Sequence, residues 1–138
     1  MSTKPESTYI ANIHKKLANR AYAEKNNNPY RSGTPDVWYS GDKGDLWVEY
    51  KFIPVIPKRT EILPDLSDRQ KRWLGNRYDE GRNVAVVCGT PEGGVIYRDR
   101  AWLRPLTPAE FRERLVSNVE VANWIHSEIG DQQCQSLQ

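Results

Sequence analysis

An α/β domain with a mixed β-sheet flanked by helices is predicted by three features of the chain. Apolar residues recur at helical spacing near both ends, β-type runs meet across turn residues in the middle, and a capped helical stretch separates those runs. In order, Ile10, Ile13, Leu17 and Ala21 predict a first helix from about Glu6 to Asn26, ended by Asn26-Asn27-Asn28-Pro29. Two antiparallel strands follow, about Val37 to Ser40 and Leu46 to Ile53, joined by Ser40-Gly41-Asp42-Lys43-Gly44. A connection through Pro54, Pro57 and Pro64 leads to Ser67, which caps a second helix reaching about Glu80, where Gly81 stops it. Asn83 to Cys88 reads as a buried strand, and after the Gly93-Gly94 turn Val95 to Arg98 forms a short one. Thr107-Pro108 opens a helix to about Val116, and a last helix runs from about Val119 to Ile129. The expectation is one domain over residues 1–130, with a Gln-rich disordered tail at 131–138.

At 138 residues the chain can bury one core and is too short for two ordinary domains. It has no apolar run long enough to span a membrane and no secretory signal, so the expected location is cytoplasmic. Cys88 lies in an apolar strand and Cys134 in the polar tail, which suggests reduced thiols and neither a disulfide framework nor a zinc site. The net charge of +2 does not by itself announce a nucleic-acid binder, because affinity depends on where cations stand against phosphates. Gly93-Gly94 lacks the Lys and helix that a phosphate cradle needs.

The residues that carry chemistry are Pro35-Asp36, followed by Glu49-Tyr50-Lys51. Side chains alternate along a strand, so Glu49 and Lys51 share one face while Val48, Tyr50 and Phe52 share the other. If Asp36 enters from the neighbouring strand, two carboxylates and one ammonium converge. Mg²⁺ takes oxygen ligands and keeps several waters, so Asp36, Glu49 and the carbonyl of Tyr50 are candidate ligands, with Mn²⁺ an expected substitute. Such an ion lowers the pKa of a bound water from roughly 15.7 towards neutrality. Lys51 has two candidate roles: orienting or deprotonating the attacking water, or stabilising the charge of the transition state. A pattern this short arises by chance in about one chain of this length in twenty, so its place in the middle of the more apolar strand carries the argument. The alternative is a turn Pro-Asp and a solvated ion pair on an exposed strand face.

The segment Gly33 to Lys51, with Leu66-Ser67-Asp68-Arg69-Gln70 and Gly81-Arg82-Asn83-Val84-Ala85-Val86-Val87 after it, resembles the PD-(D/E)XK nuclease superfamily. The branches it most resembles are the intron-homing endonucleases and the VRR-NUC nucleases, although no clean Val-Arg-Arg segment is present. The resemblance covers roughly residues 6 to 98 and implies a restriction-endonuclease-like core. It also implies that Asp36 and Glu49 bind the metal and that Lys51 is catalytic. A glutamine on the following helix and an acid on the first helix complete the family pattern, which points to Gln70 and Glu6.

Helical spacing gives both residues a second reading. Glu6 shares a stripe with Ile10, Ile13 and Leu17, so it either faces the site or merely complements the helix dipole. Gln70 shares a face with Leu66, Trp73 and Leu74 and is either hydrogen-bonded in the site or a rim glutamine. Cations cluster at Lys15, Lys16 and Arg20, at Lys58 and Arg59, and at Arg69, Lys71, Arg72 and Arg77. Tyr30 and Arg31 stand just before the motif, and Arg31 is the first candidate for a DNA phosphate contact. Trp38, Tyr39 and Trp47 read as packing groups, His14 as surface or phosphate-facing, and His126 as partly exposed.

The function expected is a Mg²⁺-dependent endonuclease that cleaves double-stranded DNA at a specific site in the homing manner. The alternatives are a structure-selective nuclease that resolves branched DNA in the manner of a Holliday-junction resolvase, and a non-catalytic DNA-binding module. One cleaving centre per chain makes a homo-oligomer, dimer or tetramer, the economical way to cut two strands. The C-terminal apolar residues Phe111, Leu115, Val119, Val121, Ala122, Trp124 and Ile125 are candidates for its interface, or else they pack on the open side of the sheet.

Overall fold

Strand β3 (Gly44–Phe52) is the spine of a five-stranded sheet with the order β1-β2-β3-β4-β5, formed with β1 (Tyr22–Lys25), β2 (Val37–Gly41), β4 (Val84–Thr90) and β5 (Gly93–Tyr97). The computed structural model describes residues 4–17, 21–26 and 33–131. Only the β3–β4 pair is parallel, so the sheet is mixed, as the alternation of strands and helices predicts. A parallel neighbour needs a long crossover, and the Pro-rich connection plus α2 (Asp68–Asp79) supplies it.

Alternation along β3 sorts two cores. Leu46, Val48 and Tyr50 pack with Val37, Tyr39, Ala85 and Val87 beneath α1 (Lys4–Leu17) and α4 (Asn118–Ile129). On the opposite face Val84, Val86, Cys88, Val95 and Tyr97 pack with Leu74, Trp102 and Phe111, carried by α2, a 3₁₀ turn (Ala101–Leu103) and α3 (Pro108–Arg114). Capping boxes at Ser67, Thr107 and Ser117 start α2, α3 and α4.

The structure corrects several expectations. The first helix ends at Leu17, and Tyr22–Lys25 pairs antiparallel with β2 in place of continuing it. All four β1 residues are exposed on this edge strand, so neither face carried an apolar signal. Of the two readings of the C-terminal helices, Phe111, Val121, Ala122 and Ile125 follow the second and are buried in the chain's own cores, while Leu115 and Trp124 are half-buried and Val119 is 51 % exposed. His14 is no phosphate-facing residue. It stands one turn after Ile10, on the face turned to the sheet, where its Nε2 lies 2.9 Å from the Tyr39 hydroxyl. Burial, with the nearby Lys25 charge, lowers its pKa to about 4. His126 is partly exposed as expected, 2.7 Å from Asp131. Asp131, assigned to the tail, is instead tied to Asp42 by two hydrogen bonds; residues 132–138, with Cys134, lie outside the described residues. Cys88 is buried with a free thiol. No described helix is long and apolar enough to cross a membrane.

Candidate active site

Asp36 reaches the site because the sheet register delivers it there. The last β2–β3 pair is Val37 with Val48, and one further step sets Asp36 opposite Glu49 on the same face. The Asp36 carboxylate accepts the backbone N–H of Tyr50 at 2.9 Å, which fixes it to β3. The approach to Asp36 is tight as well. Gly33 has φ +87°, and a Cβ there would sit 2.6 Å from the Arg69 carbonyl, so glycine lets the loop dock on the first turn of α2.

Glu49 is 3 % exposed and Asp36 9 %. Burial, the Asp36 charge and a hydrogen bond shared with Asp36 together push the Glu49 pKa up to about 9, against the pull of Lys51. Burial also raises Asp36, opposed by the Tyr50 N–H, Glu49 and Lys51. Burial and mutual repulsion disfavour ionisation of both carboxylates at once, and Lys51 opposes that trend. Lys51 Nζ lies 3.6 Å from Glu49 Oε2, with its side chain 18 % exposed at the mouth of the site.

Gln70 completes the cluster. Its Nε2 donates to Glu49 Oε2 at 3.0 Å, while its Oε1 accepts the Ser67 N–H at 2.9 Å. The helix cap therefore orients the amide and aims its NH₂ at Glu49. Ser67-x-x-Gln70 is legible as a capping box; its second job is not, because the partner lies 21 positions away. Gln70→Glu keeps the box but sets a carboxylate beside Glu49. We expect α2 to stay capped, with thermal stability near the parent's, while cleavage drops by about two orders of magnitude. Undiminished cleavage by a folded Gln70→Glu protein would detach Gln70 from the site.

Glu6 is half-buried and lines a cleft of about 260 Å³ with Lys51, Phe52, Leu63, Asp65 and Cys88. Its charge helps to raise both Glu49 and Cys88. Gly89 makes this possible: a Cβ there would sit 2.6 Å from the Tyr9 ring, so α1 lies close against the strand and carries Glu6 in. No sequence pattern announces that contact. The Tyr50 ring points to the opposite face, fully buried, with its hydroxyl 2.5 Å from that of Tyr39. Lys15 and Lys16 are exposed on the last turn of α1, and Lys58 and Arg59 are exposed in the connection. Arg20, Tyr30 and Arg31 lie outside the described residues.

The donor set fits a hard cation. Asp36 and Glu49 offer only oxygen donors, the kind such an ion takes, and among the described residues no group of three or more His, Cys, Asp or Glu that could hold a metal ion is present.

This architecture, a mixed five-stranded sheet flanked by helices, is a restriction-endonuclease-like fold. Among solved structures the chain is similar to Hjc, a Holliday junction resolvase from the archaeal hyperthermophile Archaeoglobus fulgidus. The TM-score is 0.56 at 17 % identity, covering 89 % of this chain and 99 % of that one. No family model matches the chain, and no curated protein matches it.

Proposed function

We propose that this protein is a Mg²⁺-dependent endonuclease that hydrolyses phosphodiester bonds at branch points of double-stranded DNA. The observation that carries the nuclease reading is the convergence of Asp36, Glu49 and Lys51 on one sheet face, with Gln70 holding Glu49 from the facing helix. Likeness to a junction resolvase over nearly the whole of both chains supports branched DNA over a homing-type target sequence.

Asp36 and Glu49 would hold the cation, with the Tyr50 carbonyl a further candidate ligand. Bound there, the ion would supply charge neutralisation at the phosphate and acidify a water. Gln70 keeps Glu49 from swinging away, and the Tyr50 N–H does the same for Asp36. Lys51, at the mouth, would orient the attacking water and, as the neutral amine, take up its proton, or, as the ammonium, neutralise the extra charge on the phosphate. Glu6 would set the outer edge of the same cleft. Phosphate contacts further out fall to Lys15, Lys16, Lys58 and Arg59; Arg20, Tyr30 and Arg31 are proposed as DNA-binding from the sequence alone.

Cleavage of labelled four-way junctions, compared with linear duplexes of the same sequence under Mg²⁺, tests the substrate. Junctions are expected to be cut at least about tenfold faster, the factor that 1.4 kcal/mol of transition-state preference provides. Equal rates on both substrates, or cutting at one duplex sequence only, would overturn the branched-DNA reading. No cleavage of either substrate by the folded protein would favour a binding module.

A further inference from the structure

A row of aromatic rings runs across the sheet beside the site. Tyr22 meets Trp38 edge-on with centroids 5.6 Å apart, Trp38 stacks on its cross-strand partner Trp47 at 5.9 Å, and Trp47 meets Trp73 at 5.4 Å. All three tryptophans are half-buried, so the row stays partly open. At the α2 end it is flanked by two clefts that share Trp73 and Arg77, whose guanidinium lies 5.7 Å from the Trp73 ring centroid. The larger, of about 640 Å³, is walled by Trp47 and Trp73, and its two arginines, Arg77 and Arg82, are balanced by Asp45 and Glu80. The smaller, of about 340 Å³, is lined by Arg69, Arg72, Trp73, Asn76 and Arg77, with no carboxylate among the described residues. Alternation along β3 puts Trp47 on the face of Glu49, two residues or about 6.6 Å away. On α2, Arg69 precedes Gln70 and Trp73 follows it by about one turn.

We propose that this end of the row holds an unpaired stretch of DNA strand beside the scissile phosphate, with a base against the indoles and its phosphates on the arginine cleft. The two clefts differ as the two parts of a nucleotide do. The larger is aromatic and balanced in charge, which suits an uncharged base. The smaller is cationic, and guanidinium groups match phosphate oxygens in charge and geometry. Bases inside a duplex are already stacked on one another, so open indole surface is offered only to a base that has left its stack. At the other end of the row Glu24 accepts from the Tyr22 hydroxyl at 3.1 Å and sets a carboxylate where a phosphate would lie, which confines the strand to the α2 end. The inference rests on the nuclease reading for its substrate and adds that the branch presents unpaired nucleotides.

Fluorescence anisotropy with a labelled oligothymidylate of about 16 nucleotides, in EDTA, tests it against a blunt duplex as control. Trp73→Leu, which keeps an apolar side chain but removes the ring, should weaken oligothymidylate binding by about tenfold or more and leave duplex affinity near the parent's. Trp73→Phe keeps a ring and should stay within about threefold of the parent. Arg72→Ala, at an exposed position that leaves packing untouched, should lower the salt slope for the oligomer by about 0.7. Circular dichroism checks that each variant is folded. An oligomer bound equally by parent and Trp73→Leu overturns the proposal, as does an equal loss on both DNAs or an unchanged salt slope in Arg72→Ala. A dimer broken by Trp73→Leu, with oligomer affinity unchanged, also overturns it and gives the row to a second copy. Failure of the nuclease reading looks different: the ring-dependent binding stays, and no junction is cut.

Discussion

Glu49→Gln is expected to abolish cleavage, by about three orders of magnitude or more, and at the same time to raise the melting temperature of the metal-free protein. Both effects follow from the crowding of Glu49 with Asp36. An amide can accept from Gln70 and donate to Asp36, so the hydrogen bonds survive while the buried charge disappears. The pH dependence has a definite sign. Glu49 titrates near 4.5 when solvated and is pushed up to about 9 in the fold. Its favourable contribution is thus complete below about 4.5 and is lost as pH rises through 9. The stability gap between Glu49→Gln and parent should be small at pH 5 and widen progressively as the pH rises towards 9. On the proposed reading, a cation held by Asp36 and Glu49 would displace a proton from the pair, so Mg²⁺ affinity should rise with pH through the neutral range, by up to about tenfold per unit. Calorimetric melting across pH checks the first claim and metal titration the second. A Glu49→Gln protein that melts below the parent at pH 9, or one that still cleaves, would remove Glu49 from this role.

The second large effect separates two adjacent residues of β3. Lys51→Ala should lower single-turnover cleavage by about 10²–10⁴ while leaving thermal stability nearly unchanged, because its ammonium stands at a partly solvated mouth. Tyr50→Ala should do the reverse. Its ring is fully buried, packs with the Tyr9 ring at 6.1 Å and hydrogen-bonds Tyr39, so truncation should cost about 3–5 kcal/mol. Measured under conditions where both variants are folded, Tyr50→Ala should retain much of its turnover, since its backbone N–H still holds Asp36. A Lys51→Ala protein that cleaves like the parent would leave the centre without its cationic residue.

The central sheet was legible because period-two apolar runs and glycine turns coincide there, and so was the alternation that puts Glu49 and Lys51 on one face. Ser67 and Thr107-Pro108 announced two helix starts in the sequence, and the structure adds a capping box at each and a third at Ser117. What escaped depends on contacts distant in sequence. β1 is exposed on both sides and exists only because β2 offers it an edge. His14 sat at the margin of an apolar stripe, and only the closeness of α1 to the sheet turns that margin inward. Gly33 and Gly89 are ordinary glycines in the sequence, yet each admits a neighbour at a distance any Cβ would forbid. Trp38 and Trp47 were expected to be packing groups, and they do pack, but in a row that lies partly open.

The Gln70 amide has both ends in use, one holding the start of α2 and the other holding Glu49. Fraying of that first helical turn and loosening of the buried carboxylate are therefore one event with one opening free energy. Amide hydrogen exchange at the N-terminus of α2 then reports how often the centre falls apart within an otherwise folded molecule. Heat or denaturant should silence the protein along that local route, at a cost below that of global unfolding.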